Sequence, residues 1–125
     1  MYHVAPVSPL DDTDCGARQT NYLSHWLLTK LLLPLLLATA SASPPGAVRI
    51  VAVTSDGHAR FAPAGGISFD EVALASKGAM VRYGQSKLAN VLHAKELNRR
   101  FGPQAADKTA GEIWTAAVHP GHINT

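Results

Sequence analysis

The stretch Val48-Arg49-Ile50-Val51-Ala52-Val53-Thr54 decides the fold that this sequence predicts. It is short, rich in β-branched residues and nearly all apolar, which is typical of a strand covered on both faces within a parallel sheet. A buried parallel strand requires helices on both sides of the sheet, so the flanking segments are expected to be helical. The sequence therefore predicts an α/β protein.

Downstream, the sequence predicts a long loop, a helix and a second strand. Residues 56–79 are rich in Gly, Pro, Ser and charge, and we expect a loop there with one helical turn near 70–74. Residues 80–101 are good helix formers with apolar side chains on two sides, and Gly102-Pro103 ends this helix. Residues 113–118 make a second buried strand. Two parallel strands joined by a helix form a βαβ unit, whose ligands gather beyond the carboxyl ends of the strands.

Upstream lies the most apolar segment of the chain, residues 27–38. A membrane span needs about 20 apolar residues, and Lys30 and Pro34 interrupt this segment. A secretory signal would lie at the extreme N-terminus behind a basic region, which is absent here. We therefore expect a helix that begins near residues 17–21, is buried in a soluble protein and is kinked or ended by Pro34. Residues 1–17 are expected to form an exposed loop.

Composition limits the function classes. The 125 residues suffice for one domain, and 11 Lys and Arg against 9 Asp and Glu give a net charge of +2, too small to indicate a nucleic acid or an anionic membrane as the main partner. Cys15 is the only cysteine, so an intrachain disulfide and a cysteine-based zinc site are excluded and a cytoplasmic location is favoured. His119 and His122 lack further ligands at a useful spacing, so no metal is expected.

The rule for parallel sheets selects a small set of candidate site residues. Ser55 follows the first strand, Tyr83 and Lys87 lie near the start of the crossover helix, and Pro120-Gly121 follows the second strand. Tyr83 and Lys87 are four residues apart and share one face of a helix. An ammonium beside a phenol stabilises the phenolate, which a tyrosine needs in order to exchange a proton near neutral pH. Taken alone, the spacing is also compatible with an ordinary interface tyrosine beside a solvated lysine.

Four motifs together resemble one enzyme family. They are Thr-Asn-Tyr-Leu-Ser-His-Trp-Leu-Leu-Thr around Asn21, Arg-Ile-Val-Ala-Val-Thr-Ser-Asp-Gly-His around Ser55, Arg-Tyr-Gly-Gln-Ser-Lys-Leu-Ala-Asn around Tyr83 and Lys87, and Val-His-Pro-Gly-His-Ile-Asn-Thr ending at Thr125. The residues and the order of these motifs resemble those of the short-chain dehydrogenase/reductase family, in particular the branch of retinol dehydrogenases and the WW-domain-containing oxidoreductase. The resemblance covers residues 19–125.

The resemblance implies a Rossmann-like doubly wound parallel sheet and an NAD(P)-dependent reaction on an alcohol or carbonyl substrate. Tyr83 would be the acid or base while a hydride passes between substrate and nicotinamide. Lys87 would stabilise the phenolate and bind the nicotinamide ribose, and Ser55 would bind the substrate oxygen. Asn21 would support a water-linked proton path, although a helix cap is an equal alternative, and Ser55 alone would suit a turn. Cofactor contacts would come from Pro120, Gly121 and Thr125.

The sequence departs from the family in lacking the segments of the family's first half. The glycine-rich turn Gly-x-x-x-Gly-x-Gly and the Asn-Asn-Ala-Gly segment are absent from residues 1–125, so we expect a single partial domain in which residues 18–125 form the catalytic part and the first βαβ half is missing. Such a chain would expose strand edges and apolar surface and bind NAD(P)H poorly. Two functions stay open: an oxidoreductase, with NADP slightly preferred to NAD and a homodimer as its assembly, or an inactive remnant that associates with a full-length relative.

Overall fold

The computed structural model describes residues 16–70, 76–107, 109 and 111–121. The elements, in chain order, are helix α1 (Gly16–Ser41), strand β1 (Val48–Val53), the short helix α2 (Gly57–Arg60), helix α3 (Ala79–Phe101) and strand β2 (Ile113–Val118). Residues 1–15 and the helical turn expected near 70–74 fall outside the described residues, apart from residue 70 itself. Residues 16 and 17, expected in the loop, already belong to α1, so the predicted loop boundary is wrong by two residues.

The two strands pair in parallel. Val48 lies opposite Ile113, and the register continues without a bulge to Val53 opposite Val118. Helix α3 lies between the strands in the sequence, so β1, α3 and β2 form the expected βαβ unit. The predicted fold class is therefore confirmed: the chain has a partial Rossmann-like α/β fold with a parallel sheet.

Only one face of the described sheet is covered. The core consists of Ala40, Val48 and Ile113, with partly buried neighbours from α1, β1 and α3. On the other face Val51 and Val53 are each 59% exposed and Trp114 is 44% exposed. The expectation of strands covered on both faces is thus wrong for the described residues, because both long helices pack on the same side. The expected exposure of apolar sheet surface is confirmed.

Helix α1 also differs from its prediction. It does not end at Pro34 but continues to Ser41, although proline lacks the N–H that the helical ladder would use at that point, and a kink at Pro34 stays a prediction. Ala40 is the buried residue of its regular part, Ser24–Ser41, whereas Leu31 and Leu35 are 70% and 64% exposed. The expectation of a buried helix is therefore wrong, because nothing among the described residues covers its outer side. By length and composition alone, Gly16–Ser41 would be long and apolar enough to cross a membrane.

Candidate functional site

The end of β1 is tied to both of its neighbours by Thr54. Its backbone N–H donates to the carbonyl of Val118 at 2.9 Å, and its buried hydroxyl donates to the backbone carbonyl of Lys87 at 2.9 Å. The carboxyl ends of both strands and the first half of α3 therefore meet at this residue. Ser55 follows it directly.

The hydroxyl of Ser55 is held within its own loop. It donates to Oδ1 of Asp56 at 3.2 Å and accepts from the backbone N–H of Gly57 at 3.2 Å. Its backbone carbonyl accepts from the N–H of His58 at 3.1 Å. Ser55 therefore forms a turn, which was one of its two interpretations. The turn lies at the carboxyl end of β1, where the other interpretation, a residue that binds a substrate oxygen, also requires Ser55 to be.

The ring of Tyr83 packs against this turn. A Cβ placed on Gly57 would lie 3.0 Å from Cε1 of Tyr83, and one placed on Gly84 would lie 2.7 Å from the carbonyl oxygen of Gly57 and from the backbone nitrogen of Ala62. The start of α3 therefore touches the backbone that carries Ser55, and this approach requires a residue without a side chain at position 84. Ser55 and Tyr83 are neighbours through Gly57.

Lys87 lies one helical turn beyond Tyr83 and reaches the same place. Its ammonium is 5.6 Å from the centroid of the Tyr83 ring and donates to the carbonyl of Val53 at 3.3 Å. The side-chain amide of Asn90 donates to the same carbonyl at 3.3 Å. Tyr83 and Lys87 therefore share one face of the helix as predicted, with the ammonium over the face of the ring.

Asn21 lies in a widened turn of α1, the π-helical segment Gln19–Leu23. Its side-chain amide donates to the hydroxyl of Ser86 at 3.2 Å, and that hydroxyl donates to the carbonyl of Tyr83 at 2.7 Å. Since α1 begins at Gly16, Asn21 lies inside the helix and the capping alternative is wrong. Such widened turns are frequent at functional sites, and this one connects α1 to the backbone of Tyr83.

The residues after β2 face the same loop. His119 Nε2 lies 3.9 Å from Oδ1 of Asp56, which places the segment before Pro120-Gly121 beside Ser55. Gly121 has φ = +85°, a backbone conformation that favours glycine, and no atom of the described residues lies within 4 Å of where its Cβ would be. Thr125, the other predicted cofactor contact, lies outside the described residues, as does His122.

Two buried side chains that support this site were not singled out from the sequence. Gln85 is 1% exposed and makes two hydrogen bonds with the backbone of Ser68, at 2.8 and 3.2 Å. Asn90, 4% exposed, fixes the carbonyl at the end of β1. Both are polar residues at buried positions of a helix, a pattern that becomes evident only once the burial of that helix face is known. Gln85 fixes α3 to the loop at Ser68, and Asn90 fixes it to the end of β1.

Burial changes the titration of two groups between α1 and α3. It raises the pKa of the Tyr22 hydroxyl and lowers the pKa of the His93 ring. The two rings pack edge to face, with 5.9 Å between their centroids. Within the described part of the chain, no cluster of three or more His, Cys, Asp or Glu side chains is placed to hold a metal ion.

The described residues fit one end of a dinucleotide. An ammonium has three N–H donors, and Lys87 uses one of them on Val53, so donors remain for ribose hydroxyls. Among the described residues, none lies against a Cβ placed on Gly121. The 125 residues contain no glycine-rich turn of the family type, which would bind the pyrophosphate of the dinucleotide.

Comparison with known proteins gives related sequences. A short-chain dehydrogenase/reductase of Aspergillus calidoustus is 54% identical over 109 residues, which are 86% of this chain and 34% of that protein. An uncharacterized oxidoreductase of Schizosaccharomyces pombe is 43% identical over 86% of the chain and 30% of its own length. A protein of Brassica napus named as a chloroplastic short-chain dehydrogenase is 36% identical over 85% of the chain and 31% of its own length.

Two further comparisons gave no match. No family model and no solved structure matches the chain. The chain spans about one third of the length of the curated relatives that it matches. Over most of its own length, the chain is therefore similar in sequence to proteins named as short-chain dehydrogenase/reductases.

Proposed function

We propose that this chain carries the catalytic residues of an NAD(P)-dependent oxidoreductase that interconverts an alcohol and a carbonyl compound. The observation that carries the proposal is the meeting of Ser55, Tyr83 and Lys87 at the end of β1, where α3 touches the turn that holds Ser55. The relatives support the class, since their names are those of dehydrogenases, reductases or oxidoreductases.

In this proposal Tyr83 is the acid or base. Its hydroxyl gives a proton to the carbonyl oxygen during reduction and takes the proton back during alcohol oxidation. The ammonium of Lys87 lies over the Tyr83 ring, 5.6 Å from its centroid. The Asn21 amide donates to the hydroxyl of Ser86, which donates to the backbone carbonyl of Tyr83. These two hydrogen bonds fix the backbone of α3 at Tyr83.

Ser55 binds the substrate oxygen in the same proposal. A short hydroxyl at a strand end can reach a substrate without flexible atoms between the site and the sheet. The N–H of Gly57 holds its oxygen in place, and its hydrogen, which is donated to Asp56 Oδ1, would turn to the substrate oxygen when substrate binds. The substrate oxygen would then lie between Ser55 and Tyr83.

The nicotinamide, when bound, supplies or accepts the hydride. Lys87 would hold the ribose hydroxyls, and Pro120, Gly121 and Thr125 would contact the ring and its carboxamide. We propose NADP ahead of NAD. Because no glycine-rich turn is present to hold the pyrophosphate, we expect the 125-residue chain to bind NAD(P)H weakly, and micromolar affinity in a direct titration would overturn that expectation.

Three finer assignments belong to the same proposal. The motifs around Asn21 and Tyr83 favour the retinol dehydrogenase and WW-domain-containing oxidoreductase branch. A homodimer is favoured by the exposed apolar side of α1, where Leu31 is 70% exposed. A cytoplasmic location is favoured by the single cysteine.

An inactive remnant is the alternative function. The observation in its favour is the uncovered sheet face with Val51, Val53 and Trp114, which a relative could cover by association. In that case Tyr83 and Lys87 would be inherited residues without a reaction. The remnant would act, if at all, through the partner whose fold it completes or disturbs.

One experiment separates the two functions. The purified chain is supplied with millimolar NADPH or NADH and a panel of aliphatic and aromatic ketones and aldehydes, and cofactor oxidation is followed by absorbance. The oxidoreductase proposal predicts turnover that Tyr83→Phe abolishes and Asp70→Ala preserves. Absence of turnover, together with co-elution of the chain with a full-length relative on size-exclusion chromatography, would support the remnant instead.

A further inference from the structure

We propose that the free edge of strand β1 is a docking site for an extended, apolar segment of another protein, which adds to the sheet as a third strand. The sheet in the described part of the chain has two strands, so β1 pairs with β2 along one edge only. An unpaired edge presents backbone N–H and C=O groups that can bind a further strand. The proposal concerns this edge and not the strand ends, so it goes beyond both proposed functions and depends on neither.

The backbone hydrogen bonds show which residues of β1 face the free edge. Thr54 donates its N–H to the carbonyl of Val118, directly after the paired segment. Successive residues of a parallel strand direct their backbone groups to opposite edges. The N–H and C=O groups of Arg49, Val51 and Val53 therefore point away from β2.

Two side chains already close the carboxyl end of this edge. The ammonium of Lys87 and the amide of Asn90 both donate to the carbonyl of Val53 at 3.3 Å. A backbone carbonyl has two lone pairs, so no acceptor is left there. A docked strand therefore pairs with three N–H groups, those of Arg49, Val51 and Val53, and with the carbonyls of the first two.

A groove runs along the same edge. Its volume is about 350 Å³, and the successive residues 49–53 of β1 line it although their side chains point to both faces of the sheet. A space that touches every residue of a strand lies beside the edge of that strand. The apolar part of the helical wall comes from α1 and α3, with Leu28, Leu32, Leu36, Ala94 and Leu97. This wall fits an extended segment with apolar side chains at alternate positions.

The position of α1 favours a lone strand over a second copy of this chain. Helix α1 forms the wall of the groove opposite β1. Two copies can pair these identical edges symmetrically only as antiparallel strands, which places both α1 helices on one face of the joint sheet. Paired strands are about 4.8 Å apart, whereas packed helices need about 8–10 Å between their axes. The two α1 helices would therefore compete for the same space, and a single extended segment brings no such helix.

Amide hydrogen exchange, followed by NMR in the isotope-labelled 125-residue chain, tests the edge residue by residue. In the free chain the amides of Arg49, Val51 and Val53 should exchange quickly, and those of Ile50 and Ala52 slowly. The probe is a seven-residue peptide in which valine and threonine alternate between two terminal lysines. Its addition should slow the three fast amides at least about tenfold. Three outcomes would each overturn the proposal: protection of these amides in the free chain, protection that grows with protein concentration, or no effect of the peptide.

Val51→Pro removes one donor from the free edge. The N–H of Val51 faces away from β2, and an edge strand tolerates proline at such a position. The affinity for the peptide, measured by fluorescence anisotropy with a labelled peptide, should fall at least about tenfold. Val51→Thr is the matched control that keeps the N–H, and its affinity should stay within about twofold of the wild type. Equal affinities of the wild type and Val51→Pro would contradict the proposal.

Two modified peptides test the same point in the wild-type chain, in case Val51→Pro does not fold. One peptide carries N-methyl groups on all its valines and the other on all its threonines. Only one edge of an extended peptide can face β1. One of the two should therefore bind like the parent peptide, and the other at least about tenfold more weakly. Equal binding of both would show that the strand edge is not what holds the peptide, and the proposal would be wrong.

Discussion

The ammonium of Lys87 lies over the face of the Tyr83 ring, 5.6 Å from its centroid, and donates to the carbonyl of Val53. The lysine is thus bound to the end of β1 while its positive charge lies over the tyrosine ring. Lys87 therefore connects Tyr83, one helical turn before it, to strand β1.

Tyr83→Phe separates chemistry from folding. Its hydroxyl makes no hydrogen bond with residues in the described ranges of the chain, so we expect the melting temperature to change by less than about 2 °C. Turnover, which needs the proton, should fall by about two orders of magnitude or more. Calorimetry and the cofactor oxidation assay measure the two quantities on one sample. Equal turnover in both proteins would show that Tyr83 is not the acid or base.

Gly84→Ala tests the approach of α3 to the Ser55 turn. The added Cβ would lie 2.7 Å from two backbone atoms, which cannot move aside as a flexible side chain can. We expect the free energy of unfolding to fall by about 2 kcal/mol, as in overpacked cores. Chemical denaturation measures the loss.

Gly78→Ala is the matched control for that variant. Gly78 precedes α3 with φ = −62°, and no atom lies within 4 Å of its Cβ position. The same substitution there should change the free energy of unfolding by less than about 0.5 kcal/mol. Comparable losses at both positions would mean that helix composition, and not the close approach at Gly84, determines the effect.

Thr115→Val should stabilise the protein. The hydroxyl oxygen of Thr115 is buried and has no hydrogen-bond partner among the described residues. Valine has nearly the same shape and favours strands, so we expect the free energy of unfolding to rise by about 1 kcal/mol. Urea denaturation measures the change, and a loss of stability would indicate that the hydroxyl has a partner in solution.

His93 makes stability depend on pH. Burial lowers its pKa from the usual value of 6.5, so the unfolded chain binds the proton more tightly than the folded chain. The stability associated with the neutral ring is therefore present above pH 6.5 and is lost as the pH falls through the lowered folded-state pKa. In His93→Gln this part of the pH dependence should disappear. Identical pH profiles of unfolding for the two proteins would contradict the assignment.

Much of the fold follows from the sequence because it depends on local patterns. The β-branched run at residues 48–53 and the helix formers at residues 80–101 specify a strand and a helix almost independently of their surroundings. Helix α1 shows where that approach fails. Its leucines predicted burial, but apolar composition does not tell which side of a helix has a neighbour, and Leu31 is exposed.

The candidate site was partly predictable for a similar reason. Parallel strands end at a common edge, so Ser55, Tyr83 and Pro120 could be placed near one another from sequence order alone. The contact between Asp56 and His119 could not be predicted, because the two residues are 63 positions apart in the sequence. Spacing along one element reveals neighbours on that element, whereas contacts between two loops require coordinates.

The central claim is that Tyr83 and its neighbours transfer a proton in a hydride reaction, and deuterium transfer tests it most directly. The chain is incubated with NADPH carrying deuterium at C4 of the nicotinamide and with a ketone, and the alcohol is analysed by mass spectrometry. The account predicts deuterium on the carbinol carbon with the wild type and almost none with Tyr83→Phe. No deuterium in the alcohol, or equal amounts with both proteins, would contradict it.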